Sequence, residues 1–497
     1  MLLLYLAITS YSHGAQRLAC PSAASPAGAS CHNHLGRAAT AAIHANFLKD
    51  MSPSGGGVDP NSKQAREAAL VNWLADGGVW MSEKAGWGRA AHPLRVESDT
   101  VEDFELSGRG LLARKDVTQG EAIVQVPSKL LMTRRAAVRE LGERIIPDSL
   151  GEYLAIALLL INERAKGADS FWAPYIGILP TTDEVGQTWT WSEEDLALLK
   201  GSGVVAATQS LRAKLDREYD TLIADIITPN GLDPAIFSKE AFDWAMSMLF
   251  SRAIDLREVG ELALVPYADL LNHSPYTSSY FYYNKIPLSN EREVTLYADR
   301  SYAKNDQLLI SYGQKSNSEL LLLYGFVIDR NLFDEVELTV ALDPSDPRYD
   351  EKKEFLNAQG LQPAMQFPLL IDRYSSELMQ YLRLCCVTPS MDDLGSYKYS
   401  DRISPSNERA ALTTLREGCV AALDEYPETE EEDRKLMENA KMFATLSFRQ
   451  RQAIKLRRNE KRILLRTIKT CDTALEAIDA ALSGKPAPDN SAVSFGW

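Results

Sequence analysis

The sequence predicts an α+β protein: a β-rich body split by a helical stretch, then an all-helical C-terminal region. Three observations predict it. Short apolar runs bounded by Gly and Pro, such as Ala122–Pro127, have the length and punctuation of strands. Longer runs with apolar residues at helical spacing interrupt them, as in Leu150–Arg164 and Ser238–Ala253. Beyond about residue 330 the strand punctuation gives way to a helical pattern. A chain of 497 residues has room for about two to four domains of roughly 150 residues each.

Composition narrows the function classes. A content of 45% hydrophobic and 24% charged residues rules out a wholly disordered chain. Lys and Arg number 53 against 68 Asp and Glu, a formal net charge of −15. A protein that coats nucleic acid needs net basic surface to neutralise phosphate, so no nucleic-acid partner is expected. Six scattered cysteines with no C-x-x-C pair suggest neither a disulfide framework nor a structural zinc site. Five of the six histidines lie in the first 92 residues, which leaves His273 alone in the body. No histidine-ligated metal is expected there. Apolar runs such as Leu154–Ile161 fall short of the ~20 residues that span a bilayer, so the expectation is a soluble protein without a membrane partner.

Residues 1–60 read as a targeting or disordered segment. The first acidic residue is Asp50, and alanines, serines and a few basic residues (Arg17, Arg37, Lys49) precede it, as in an organellar transit peptide. Met1–Ile8 adds a short apolar core, and the two together suit a plastid address, with cytoplasm or nucleus as alternatives. Cys31-His32-Asn33-His34 lies here without core patterning around it. Ser52-Pro53-Ser54-Gly55-Gly56-Gly57 is linker chemistry and marks the boundary.

Ala65–Leu74 has the pattern of a short amphipathic helix. Gly108–Ala113, Asp116–Glu121 and Ala122–Pro127 read as strand, turn and strand, with Gly120 in the turn. The first of these satisfies G-x-G-x-x-A, yet a dinucleotide site needs a helix immediately after the glycines, and here another strand follows. Leu150–Arg164 is a helix with apolar residues on most faces, hence buried. Phe171–Trp189 reads as an aromatic, proline-punctuated loop. Ser238 caps a helix to Ala253, with Glu240 in its first turn. Leu262–Pro266, Glu293–Ala298 and Leu308–Tyr312 look like short strands, and Glu319–Tyr324 like a helical turn. An acidic stretch, Asp424 to Asp433, precedes Arg449–Lys469, which holds nine Lys or Arg and one Glu. This segregation reads better as a solvated helix face paired with a neighbouring helix than as a guide for a peptide.

Two segments carry chemistry. Val265-Pro266-Tyr267-Ala268-Asp269-Leu270-Leu271-Asn272-His273-Ser274 places an Asp, an Asn and the body's only histidine within five residues. Ile310-Ser311-Tyr312-Gly313, then Ser316–Leu320 and Tyr324-Gly325-Phe326, sets two tyrosines beside glycines that permit close backbone approach. Either segment alone reads as ordinary core; an Asn-His pair more often closes a loop than binds a ligand. Their order, after a glycine-led hairpin, is far more specific.

With Phe171–Pro180, Trp244–Arg252 and the C-terminal Arg457–Leu464, these segments resemble the SET-domain methyltransferases of the Rubisco large-subunit lysine methyltransferase group, which also contains actin-histidine methyltransferases. The resemblance implies a SET catalytic domain over about 65–330 with a helical insertion at about 151–249. It also implies a helical substrate-binding domain over about 331–485, and a knot-like crossing where Asn272-His273 meets the chain near Tyr312. The implied cofactor is S-adenosylmethionine, with no metal. Carried over residue by residue, Ser107, Gly108, Arg109, Asn272, His273 and Tyr312 hold the cofactor. Ser107 stands where a glutamate is frequent. Ser251, Arg252, Ile254, Asp269 and Ile310 line the substrate channel, and Tyr312 and Tyr324 are catalytic. Asn305 stands where a turn glycine is usual, and Asn tolerates positive φ.

The chemistry suits these residue types. In-line methyl transfer needs nitrogen, methyl carbon and sulfur on one line. A lysine amine attacks only when neutral, and a narrow apolar slot disfavours its charged form. The histidine-methylating branch carries an asparagine at the position of Ile254 and a non-aromatic residue at that of Tyr324, so the resemblance favours lysine. Alternatives are a histidine methyltransferase and an inactive, peptide-binding SET-like adaptor. Rubisco large subunit, aldolase or another lysine-bearing protein is the implied partner, and a monomer is expected.

Overall fold

In the computed structural model, which describes residues 62–86, 90–102, 105–256, 259–279, 281–286, 291–388, 398–399 and 402–483, the chain divides into two units. The targeting segment, the linker and the Cys31–His34 group lie outside these residues. The first unit takes the chain up to Leu179, then Ala224–Asn272 and Thr277–Ile310. The second takes Pro180–Ile223, His273–Tyr276 and everything from Ser311 on.

The first unit holds three small sheets. Strands β1 (Leu94–Glu102) and β2 (Glu105–Ala113) form an antiparallel hairpin whose register slips around Thr100 and Gly108. Gly108 absorbs the slip at φ +73°, and its carbonyl accepts the Thr100 hydroxyl at 2.9 Å. Strand β3 (Ala122–Pro127) and strand β4 (Met132–Thr133) follow. Between β4 and β5 (Ile254–Leu256) the chain is mostly helical, and helices Glu152–Lys166 and Lys239–Arg252 of this unit pack on each other. Leu150–Arg164 is thus a buried helix as expected, with Ala155–Leu160 fully enclosed. Ser238 caps the second helix, its hydroxyl accepting the Ala241 amide at 3.3 Å.

Strand β6 (Glu261–Leu264) pairs with β4 and β5, β8 (Phe281–Lys285) with β9 (Arg292–Tyr297), and β9 with β3. The remaining sheet runs β1-β2-β10-β7, with β10 at Gln307–Ile310 and β7 at Asn272–His273. The Asn272-His273 segment therefore lies beside the strand that leads to Tyr312, as the resemblance implies. Asn305 sits at φ +72°, as its place in a turn predicts. Phe171–Trp189 is not a plain loop: Ala173–Ile176, Thr182–Val185 and Thr188–Thr190 are short helical turns, one with a capping box at Thr181.

In the second unit, Glu319–Tyr324 extends into a full helix, Asn317–Tyr324, because Ser316 and Glu319 cap it reciprocally. The C-terminal region is helical as expected, with one addition. Strands β11 (Glu335–Ala341) and β12 (Ala364–Leu370) form an antiparallel ribbon whose apolar residues join the core with helices Ser376–Cys385, Pro405–Asp424 and Phe448–Leu482. The acidic and basic stretches do pair, and at Asp433 the pairing is out of water. Asp433, 2% exposed, takes Lys461 Nζ at 2.6 Å and Arg457 Nη2 at 2.9 Å, and Glu428 takes Arg457 Nη1 at 2.6 Å.

Candidate functional site

The candidate residues fall into three groups, built by different local devices. The first, in unit one, surrounds β2. Gly110 has no side chain because there is no room for one: a Cβ there would lie 2.6 Å from Gln307 Oε1 and 3.0 Å from Asn272 Nδ2. That approach lets the Asn272 amide nitrogen donate to Gln307 Oε1 (3.0 Å), Thr100 Oγ1 (3.2 Å) and the Arg109 carbonyl (3.4 Å). The Arg109 side chain is held by Glu67 and by the Ile178 carbonyl, both at 2.9 Å. Beside Gly108 lies open space, so its backbone is bare on that side. Ser107 lies on β2, and its side chain is outside the described residues.

The second group, also in unit one, centres on Asp269. Its buried carboxylate accepts the Tyr175 hydroxyl at 2.8 Å and lies 3.4 Å from Arg252 Nη1, which also donates to the Asp269 carbonyl at 3.0 Å. Burial pushes the Asp269 carboxyl up against the opposing pull of Arg252 and Tyr175, and burial beside that carboxylate raises the Tyr175 hydroxyl. Asp269 Oδ1 and Arg252 Nε are buried with no hydrogen-bond partner among the described residues. The turn that delivers Asp269 is strained: Tyr267 sits at φ +77°, a conformation L side chains rarely adopt. Full burial and a 2.7 Å hydrogen bond between its hydroxyl and His92 Nε2 hold it there. Ile310 is buried at the end of β10, and Ile254 opens β5 opposite Ala263. Ser251 turns its hydroxyl onto the Ser247 carbonyl of its own helix at 2.8 Å.

The third group, in unit two, is aromatic. The Tyr312 amide donates to His273 Nδ1 at 3.0 Å, which makes Nδ1 an acceptor and assigns the neutral ring's proton to Nε2. The His273 and Tyr312 rings stack at 4.9 Å and 20°, and Tyr312 stacks on Tyr324 at 4.9 Å and 23°. Phe326 meets Tyr324 edge-on at 6.4 Å. Asn317 anchors the helix that carries Tyr324. Its amide nitrogens bind both oxygens of buried Asp334 at 2.9 and 2.7 Å, and its side chain exchanges hydrogen bonds with Ile328. At the helix end, Gly325 takes φ +83°, and a Cβ there would lie 1.8 Å from the Val185 carbonyl oxygen.

The structure thus joins Arg109 to Asn272, Arg252 to Asp269, and His273 to Tyr312 and Tyr324. Asn272 and His273 are consecutive, and Ile310 and Tyr312 are two residues apart, so the groups are linked through the chain itself. Sequence reasoning missed Glu67, Thr100, Tyr175, Gln307 and Phe326. Phe326 and Tyr175 belong to segments already singled out; Glu67, Thr100 and Gln307 are polar residues of other segments, with no local pattern to flag them. Among the described residues no group of three His, Cys, Asp or Glu is placed to hold a metal ion.

Comparison with known proteins adds to this geometry. The SET-domain profile matches residues 108–313, and the profile described as Rubisco LSMT substrate-binding matches residues 343–464. The chain is 32% identical over 374 residues to the chloroplastic Rubisco large subunit N-methyltransferase of Pisum sativum, across 72% of this chain and 74% of that one. It is 30% identical to the chloroplastic fructose-bisphosphate aldolase-lysine N-methyltransferase of Arabidopsis thaliana, across 79% and 80%. It is also 30% identical to the actin-histidine N-methyltransferase of Callithrix jacchus, across 76% and 65%. A crystal structure of the SET domain of LSMT bound to lysine and AdoHcy superposes with a TM-score of 0.70 at 30% identity, covering 84% of this chain and 93% of that one.

Proposed function

From the premise that the chain belongs to the SET-domain methyltransferases with a Rubisco LSMT-type substrate-binding domain, we propose that it methylates the ε-amine of a lysine in a protein, using S-adenosylmethionine. The observation that carries this is the His273–Tyr312–Tyr324 stack, locked by the hydrogen bond from the Tyr312 amide to His273 Nδ1.

The cofactor fits the donor set. Gly108 offers bare backbone beside open space, and Asn272, whose amide nitrogen is engaged by Gln307 and Thr100, carries an amide oxygen of the kind that accepts from an ammonium group. When bound, S-adenosylmethionine supplies a methyl group on a sulfonium, which an amine takes by in-line displacement. The chain's own contribution is placement. Ser107, Gly108 and Arg109 hold the methionine end through their backbone, and Asn272 and His273 hold the amine and adenine ends. Arg252, Asp269, Ile254, Ser251 and Ile310 wall the lysine channel. The apolar side chains of Ile254 and Ile310 disfavour the charged amine, and the Tyr312 hydroxyl, carried on a ring stacked against both His273 and Tyr324, orients the neutral one. Tyr312 acts as an orienter, not as a strong base.

Lysine is favoured over histidine by Ile254, whose apolar side chain offers no hydrogen bond to an imidazole, and by Tyr324. The substrate is a plastid protein such as Rubisco large subunit or aldolase. The acid-free start of the sequence and the chloroplastic relatives support that compartment. Transfer of labelled methyl groups to stromal and cytosolic extracts, with mass spectrometry of the labelled residue, tests the proposal. Methyl-lysine in stromal protein is the expected result, and methyl-histidine would overturn the acceptor assignment. Tyr312→Phe should lower kcat about a hundredfold. Unchanged turnover would remove Tyr312 from the mechanism.

A further inference from the structure

The helix Lys63–Asp76 precedes the residues matched by the SET-domain profile, and its packing is more specific than a flank requires. Glu67 lies on its buried face, 9% exposed. One carboxylate oxygen accepts Arg109 Nε at 2.9 Å, from 42 residues further along the chain. The same carboxylate takes the Ser98 hydroxyl of β1 at 2.9 Å to both oxygens. Arg109 and Glu67 are only 13% and 12% exposed, so water screens this pair little.

Arg109 is the hub. Its Nη1 donates to the Ile178 carbonyl at 2.9 Å, and its own carbonyl receives the Asn272 amide at 3.4 Å. Helix Lys63–Asp76 grips the same segment again through Arg66 Nη1 to the Gly177 carbonyl at 3.3 Å. The aromatic segment Phe171–Pro180, which no catalytic role has absorbed, is therefore what Arg109 and this helix hold between them. Its Tyr175 passes the restraint on to Asp269.

Gly108 and Gly110 leave the backbone around Arg109 without side-chain packing of its own. Gly108 and Gly110 pair with β1, but the register slips between them opposite Arg109, and there the Glu67 carboxylate adds a restraint on the direction of the peptide groups. We propose that Glu67 is a positioning residue for the methyl donor: through Arg109 it fixes the backbone of residues 108–109 that holds the methionine end of S-adenosylmethionine. Glu67 touches neither substrate. The inference rests on the cofactor assignment made above.

The test is calorimetric titration of S-adenosylhomocysteine into the full-length protein, with kinetics on the labelled substrate. Glu67→Gln and Arg109→Met should each raise the dissociation constant and the KM for S-adenosylmethionine about tenfold, with kcat and the KM for the acceptor protein little changed. The double variant should bind no more weakly than either single one, since one interaction has been removed twice. Equal affinity in Glu67→Gln and the parent would overturn the proposal. So would a lower melting temperature accompanied by equal rises in both KM values, because a scaffold residue acts on both substrates alike. A parent protein that binds no S-adenosylhomocysteine would instead overturn the cofactor assignment itself.

Discussion

The backbone amide of Tyr312 donates to Nδ1 of His273 at 3.0 Å while the two rings lie stacked 4.9 Å apart. One side chain thus fixes both the main chain and the ring plane of its neighbour. The two contacts can be separated. In His273→Asn the side-chain oxygen sits near the position of Nδ1 and can still accept the amide, whereas His273→Phe keeps the ring and loses the acceptor. If the hydrogen bond sets the position of Tyr312, His273→Asn should retain kcat within about tenfold. His273→Phe should lose about a hundredfold, the penalty for a small misplacement of a reacting geometry. The reverse order in steady-state kinetics would assign the effect to stacking.

Gly325 ends the helix that carries Tyr324, and both its torsion angle and its surroundings exclude a side chain. At φ +83°, with a Cβ 1.8 Å from the Val185 carbonyl oxygen, Gly325→Ala must shift backbone in one of two segments. The expected loss is about 3 kcal/mol or more in urea denaturation, together with loss of activity as Tyr324 moves. Gly418 is the control. It lies within helix Pro405–Asp424, where a Cβ would make only ordinary contact with Leu338 at 3.7 Å. Gly418→Ala should stabilise by roughly 0.5–1 kcal/mol.

The contrast between these two glycines shows what the sequence could convey. Gly325 was legible as part of Tyr324-Gly325-Phe326, but the reason for it, a carbonyl of Val185, lies 140 residues away in no recognisable pattern. The hairpin, the buried helices and the Ser238 cap were legible because they depend on neighbours in the chain. Asn305 was legible for the same reason: its residue type is suited to its torsion angle. Tyr267 was not. Nothing about a tyrosine announces φ +77°, and only the distant His92 and complete burial impose it. The ribbon of β11 and β12 was missed although its signal is present: Glu335–Ala341 alternates polar and apolar residues, and Val336, Leu338 and Val340 turn to the same core as buried Phe367 and Leu369 of β12. The catalytic names came from motif order. Their supports (Glu67, Thr100, Tyr175, Gln307) came only from three-dimensional contact.

Glu460 gives a prediction of opposite sign to the usual behaviour of carboxylates. It is wholly buried on helix Phe448–Leu482, and its partners are hydroxyls rather than cations: Ser202 at 2.7 Å, Ser318 at 3.0 Å and Tyr426 at 3.0 Å. Burial pushes its carboxyl up to about 7, with nearby Asp334 adding to the rise and the hydroxyls opposing it. Between its ordinary value of 4.5 and about 7 the folded chain holds a proton that the unfolded chain has released. Its contribution to stability is therefore full below about pH 4.5 and falls as pH rises through 7, by on the order of 3 kcal/mol. Glu460→Gln keeps the shape and removes the titration. Urea denaturation at about pH 5 should find the variant close to the parent. At about pH 8.5 the variant should be the more stable of the two, because the parent must then either bury a charge among neutral hydroxyls or hold a proton against the solvent. A variant less stable than the parent at the higher pH would mean that the three hydroxyls carry an ionised Glu460, and that the anchor between Ser318, on the Tyr324 helix, and Glu460 is charged.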